Sequence, residues 1–188
     1  MKANTKPPFS LRRGQRGYST TEVGIGIAIA VIALAAAVKP VSQYLDDAKV
    51  TEASRDWSTI SSSAKKVYAD LSDFSTVTAT LAINQKIFTG KYAATASTLV
   101  SPFGGAITVS AVNILGTNDG LQAAYAGLSD YQCMQFAAAV SKASDVVLIG
   151  TNTYKAYGTT PTAAVVALLG TTGYCSGGAN TVKVQVAK

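Results

Sequence analysis

Apolar and polar residues follow three different periods along this chain. From Tyr18 to Val38 the residues are apolar or small and, apart from Glu22, uncharged. This run of 21 residues measures about 31 Å as a helix, enough to cross the hydrocarbon core of a bilayer. Lys39 and Pro40 close it, and Pro40 predicts a kink or loosened hydrogen bonding. Next, Val50, Ala53, Trp57, Ile60, Ala64, Val67 and Leu71 recur at alternating steps of three and four. That spacing predicts a helix with one buried face. Lys49, Glu52, Arg55, Ser58, Ser62 and Lys66 fall opposite, on its solvent side. The two regimes together predict a helix from about Tyr18 to about Leu71. Its first half is apolar all round, and its second half is packed on a domain. Three heptads without paired e/g charges do not suggest a coiled coil.

The third regime is period two. Ala106–Ile114 alternates between a Gly104-Gly105 pair and the turn signal Gly116-Thr117-Asn118-Asp119-Gly120, with Gly120–Ala126 as its partner strand. Val146–Ile149, Thr153–Tyr157 and the terminal stretch carrying Val182, Val184 and Val186 are further strands. Between them, Ser129 or Asp130 caps a helix to about Ala143 with Cys133, Phe136 and Val140 on one face. Thr160-Pro161 opens a small helix to Leu169. Thr76–Thr98 shows little periodicity and reads as a loop. The expected class is α+β, with an antiparallel sheet laid over the long helix. Without a cross-link to hold it, the terminal strand is expected to fray, Thr181–Ala187 loosening first.

Charge changes the picture only at the N-terminus. Of 16 basic residues, Lys2, Lys6, Arg12, Arg13 and Arg16 lie in residues 1–17 without an acid, leaving 11 basic against 10 acidic residues beyond. The net charge of +6 therefore argues little for a nucleic-acid partner. The arginines favour a cytoplasmic N-terminus and an exported remainder. The chain has no histidine, which excludes Ser/His and Cys/His catalysis and most zinc sites. No P-loop, nucleophile elbow or metal-ligand spacing occurs, so neither an enzyme nor a cofactor is expected. Tyr154 and Tyr157 beside Lys155 offer a stacking platform for a base or a sugar; tyrosines covering a sheet are the plainer reading. Cys133 and Cys175 are the two cysteines. In an exported protein such a pair reads as one disulfide, and two buried thiols remain the alternative.

Three readings compete for the N-terminus. It suits a signal peptide cut after Ala35-Ala36-Ala37, a single-pass anchor, or a cleaved leader ahead of a helix that later polymerises. Glu22 separates them. A carboxylate drawn to the centre of a membrane helix costs about 2.5–3.5 kcal/mol, and neither of the first two needs one. A subunit cut behind Gly17 would carry a new amine on Tyr18, one helical turn from Glu22. In a polymer, each Glu22 could then neutralise a neighbour's amine, since buried charges are tolerable when paired. Gly24/Ala28 and Gly26/Ala30 add small-xxx-small pairs that let such helices approach closely.

The string Gly17-Tyr18-Ser19-Thr20-Thr21-Glu22-Val23 resembles the cleavage motif of type IV prepilins, with tyrosine where phenylalanine or methionine is commoner. Three further features resemble the type IVb pilins, the class of the toxin-coregulated, bundle-forming and conjugative thin-pilus pilins. They are Ser101-Pro102-Phe103-Gly104-Gly105 before a strand, Gly127-Leu128-Ser129-Asp130-Tyr131-Gln132-Cys133 entering a helix, and Cys175 before a terminal strand. The 17-residue leader fits the same class.

The resemblance implies a type IV pilin fold with a leader at 1–17, a long helix at 18–72 (filament-core part 18–38) and a head at 73–188. It also implies a disulfide joining Cys133 to Cys175 around residues 133–175. Prepilin peptidase would cut after Gly17 and methylate Tyr18, and Glu22 would serve subunit assembly. The partners implied are other copies of the chain, the peptidase, and an inner-membrane assembly machine with a cytoplasmic ATPase. A surface receptor or recipient cell would follow. The chain would sit in the bacterial inner membrane before assembly and in an extracellular pilus afterwards, serving attachment, aggregation or conjugative contact. A minor pilin or pseudopilin, or a secreted ligand-binding domain, are the alternatives.

Overall fold

The computed structural model describes residues 20–71, 73–161 and 174–188, with side chains from residue 41 onward. It divides into two compact units, Met1–Ser42 and Gln43–Lys188. Helix α1 runs Thr20–Val67, through Pro40. Among the described residues no helix is long and apolar enough to cross a membrane. The expected span 18–38 lies outside the described side chains, and the expected helix from Thr160-Pro161 to Leu169 falls almost wholly outside the described residues.

In the second unit, the α1 face carrying Val50, Ala53, Trp57, Ile60 and Ala64 is buried as its spacing requires. The expected stripe fails at its end. The helix ends at Val67 rather than about Leu71, which lies beyond it and is 46% exposed, and Tyr68, not Val67, closes the stripe at 1% exposure. The cause is helical drift: a strict three-four stepping slips about 20° per heptad against a 3.6-residue turn. Tyr68 lies about five whole turns after Val50, and Val67 lies about 100° off that line. Trp57 anchors the face, with its Nε1–H donating to Ser144 Oγ at 2.7 Å. Burying such an aromatic contributes several kcal/mol, on the order of 3.

The head begins with α2 (Ala79–Asn84) and β1 (Leu99–Val100). Helix α2 lies in the stretch Thr76–Thr98 expected to be a loop, and β1 follows directly after it. Val77, Ala82, Ile87, Phe88 and Tyr92 from that stretch all enter the core. Its periods are too short to read, because α2 has six residues and is set by the cap Thr78, whose side chain accepts from Leu81 N–H. Then follow β2 (Ala106–Val112), β3 (Gly120–Leu128), α3 (Asp130–Val140), β4 (Val146–Ile149), β5 (Asn152–Lys155) and β6 (Asn180–Ala187).

The strands form one sheet in the order β1-β2-β3-β6-β4-β5, every pair antiparallel. Tyr125, Val182 and Ile149 share one row, and Ala123, Val184 and Val147 the next. All six are buried in the core that also holds the α1 stripe. The terminal strand β6 is therefore not a fraying edge. It sits in the middle of the sheet, bonded on both sides.

Gly105 shows how tightly this sheet meets its turns. A Cβ there would lie 2.0 Å from Ala126 O and 2.4 Å from Ala126 C, and backbone cannot step aside. Gly127 opposite has φ +80, which only glycine adopts readily. Gly105→Ala is expected to destabilise the head by about 1–3 kcal/mol. Gly90→Ala, with nothing near its Cβ, should stay within about 0.5 kcal/mol. Urea midpoints of the two variants provide the check.

Candidate assembly site

The first turn of α3 is the junction of the head. Successive helical residues point about 100° apart, so four in a row can reach four directions. Asp130, Tyr131, Gln132 and Cys133 do this. Ser129 caps the turn with a reciprocal capping box: its side chain accepts from Gln132 N–H, and Gln132 Oε1 accepts from Ser129 N–H. Asp130 Oδ1 accepts from Gly178 N–H at 2.9 Å and Asn180 Nδ2–H at 2.7 Å. Tyr131 O–H donates to Asp47 at 2.8 Å, and Gln132 Nε2–H donates to Asp46 at 2.6 Å, both on α1. Cys133 is disulfide-bonded to Cys175. The turn thus ties α1, the segment before β6 and the cross-link to one point.

On α1, Glu52 and Asp56 tie down the segment between α2 and β1. Lys91 Nζ donates to Glu52 at 2.7 Å and also pairs with Asp56. Tyr92 O–H donates to Asp56 at 2.6 Å. The carboxylate bonds raise the Lys91 pKa, Asp56 contributing most. Burial first, then the Asp56 bond, raise that of Tyr92. Asp47 likewise raises the Tyr131 phenol. Between the α3 and Lys91 attachments, α1 stays open. A cavity of about 610 Å³ there is lined by Tyr44, Ala48, Thr51 and Arg55, among others. Tyr44 and Leu45 are exposed, an adjacent apolar pair on the outer side of this helix.

Asp130 gives this junction a pH signature. The Gly178 N–H bond, then the Asn180 side chain, hold its carboxyl below the usual carboxylate range. A lowered folded pKa contributes stability above the unfolded value of about 3.9. That contribution is lost as pH falls through the lower folded value. The Gly178 amide is thus expected to be protected from hydrogen exchange at pH 5–7 and to lose extra protection below about pH 4. Asp130→Ala should remove that protection at every pH. An amide equally protected in Asp130→Ala would show that the carboxylate does not hold it.

Of the site residues expected from sequence, Cys133 and Cys175 are joined, and so the alternative of two buried thiols falls. Gly17 and Tyr18 lie outside the described residues. Glu22 lies within α1, but its side chain is not among those described. The plainer reading of the tyrosines holds for Tyr154, which is 2% exposed; Tyr157 is 45% exposed, and Lys155 bonds the carbonyls of Ser141 and Ser144. Three neighbours in sequence thus serve three environments, and no stacking surface results. Asp46, Asp47 and Lys91 were invisible in the sequence, because nothing local marks partners 86, 84 and 39 positions away.

The family described as PilS N terminal matches residues 47–187, which takes in the head, the α3 junction and the disulfide. Among solved structures, TcpA, a type IV pilin from Vibrio cholerae El Tor biotype, is similar at 16% identity and a TM-score of 0.54. The match covers 74% of this chain and 99% of that one. A type IV b pilin from Salmonella typhi is similar at 17% identity and a TM-score of 0.51, covering 72% of this chain and 97% of that one. No curated protein sequence matches.

Proposed function

The chain belongs to the PilS N-terminal family and has the type IVb pilin fold, and on that premise we propose that it is the major subunit of a type IVb pilus. In this reading, prepilin peptidase removes residues 1–17 and methylates Tyr18. The subunit waits in the inner membrane on its 18–38 segment. A membrane platform driven by a cytoplasmic ATPase then adds it to an extracellular filament. The role is structural, and attachment, aggregation or conjugative contact follows from displaying the head.

One observation carries the proposal. A single helix, α1, begins by Thr20 within the apolar run and buries only one face of its later half in the head. A secreted domain cut after Ala37 would keep the second part and discard the first. A filament subunit needs both, the first to pack with its neighbours and the second to carry the head. Mass spectrometry of the mature N-terminus tests this. A methylated Tyr18 is the expected start, and a start at Val38 overturns the reading.

A further inference from the structure

We propose that the head carries a binding site for the anionic group of a carbohydrate residue. It lies where α1 meets the end of α3 and β5. A cavity of about 350 Å³ there is lined by Ser62, Lys65, Lys142, Ser144, Asp145 and Lys155, among others. Three ammonium groups thus face one carboxylate. That carboxylate is already engaged: Asp145 Oδ2 accepts from Ala187 N–H at 2.8 Å and meets Lys65 only at 3.6 Å. Among the described residues, Lys142 has no carboxylate partner.

Lys155 Nζ spends two N–H groups on Ser141 O and Ser144 O, each at 2.6 Å. These bonds neutralise carbonyls at the α3 terminus that would otherwise repel an anion, and an ammonium has a third donor. Ser144 is fixed from behind. Its Oγ accepts from the buried Trp57 indole, so its hydroxyl proton remains to be donated. The cavity therefore offers excess positive charge together with a positioned hydroxyl, which suits a carboxylate or sulfate oxygen.

The volume lies near the lower end of ligand cavities, roughly 300–1,000 Å³, and so fits one sugar residue. Apolar lining is confined to Ala143 and Val186, too little to anchor a peptide side chain. Nucleic acid would call for a basic track with exposed aromatics. Here Tyr154, the aromatic nearest in sequence to Lys155, is buried. The proposal rests on the head being displayed outside the cell, but its test does not depend on filaments.

The full chain in detergent micelles, with unmodified lysines carrying ¹³C at the ε carbon, would be titrated with methyl β-D-glucuronide. Saturable shifts at Lys65, Lys142 and Lys155 are expected, with none from the neutral methyl glucoside. Lys142→Ala and Lys65→Ala should each weaken binding by roughly tenfold, with the remaining spectrum unchanged. The proposal is overturned if the glucuronide gives no saturable shift or the glucoside binds equally well. It is also overturned if an oligothymidylate competes at the same lysines with higher affinity. Filament formation by the two variants, scored separately, should be normal, so a failure of binding and a failure of the pilin reading remain distinguishable.

Discussion

Glu22→Ala subunits are expected to enter the membrane and lose their leader normally but to build no filaments. On the proposed reading, cleavage would depend on Gly17 and the bulky Tyr18 beside it, neither of which the substitution alters. Insertion should if anything be easier without a carboxylate, whose cost at the centre of a membrane helix is about 2.5–3.5 kcal/mol. The loss falls on assembly. In the proposed filament, each incoming subunit would bring a positive amine on Tyr18 into an apolar packing of helices. Removing one member of a buried pair costs about 3–5 kcal/mol, charged at every subunit added. That corresponds to a drop of at least a hundredfold in the equilibrium for each addition. Glu22→Gln should fail in the same way, because an amide keeps the shape and lacks the charge. Electron microscopy of pili from a strain carrying only the variant reads the result, alongside mass spectrometry of the mature N-terminus. Normal filaments with a methylated Tyr18 would end the pairing argument.

The second large effect concerns the bond between Cys133 and Cys175, which closes a separation of 42 residues. On the loop-entropy account this contributes roughly 4 kcal/mol, a large part of a margin of about 5–15 kcal/mol. In the Cys133→Ser/Cys175→Ser subunit, the first region to loosen should be the segment around Cys175–Gly178, not β6. That strand is bonded to β3 on one side and β4 on the other, and its valines are core residues. The segment before it would still be held by hydrogen bonds, from Gly178 and Asn180 to Asp130 and from Ser176 N–H to Asn180 Oδ1, but by no covalent tie. Hydrogen exchange should therefore rise there and at the first turn of α3, while Val182–Val186 changes least. Subunit abundance should fall through proteolysis. Unchanged protease resistance, or two freely labelled cysteines in the exported wild-type protein, would show that the bridge is unimportant or not formed.

The sequence by itself determined whatever depends on neighbours a few residues apart. The buried face of α1 was legible from Val50 to Ala64 because 3.6-residue geometry repeats locally. The capped start of α3 was legible from Ser129 and the apolar positions behind it. The β2–β3 hairpin was legible from alternation on both sides of a Gly-rich turn. The pilin family was legible from short strings with fixed spacing. Tertiary structure decided the rest. It chose Tyr68 over Val67, because small angular drift accumulates over five turns. It drew the unpatterned residues around Phe88 and Tyr92 into the core, because a six-residue helix is too short to show a period. It set the last strand at the centre of the sheet, because strand order is a matter of pairing between distant segments. It brought Asp46 and Asp47 to α3 and gathered Lys65, Lys142 and Lys155 around one cavity. Such contacts join residues with no local relation, and only the closed chain specifies them.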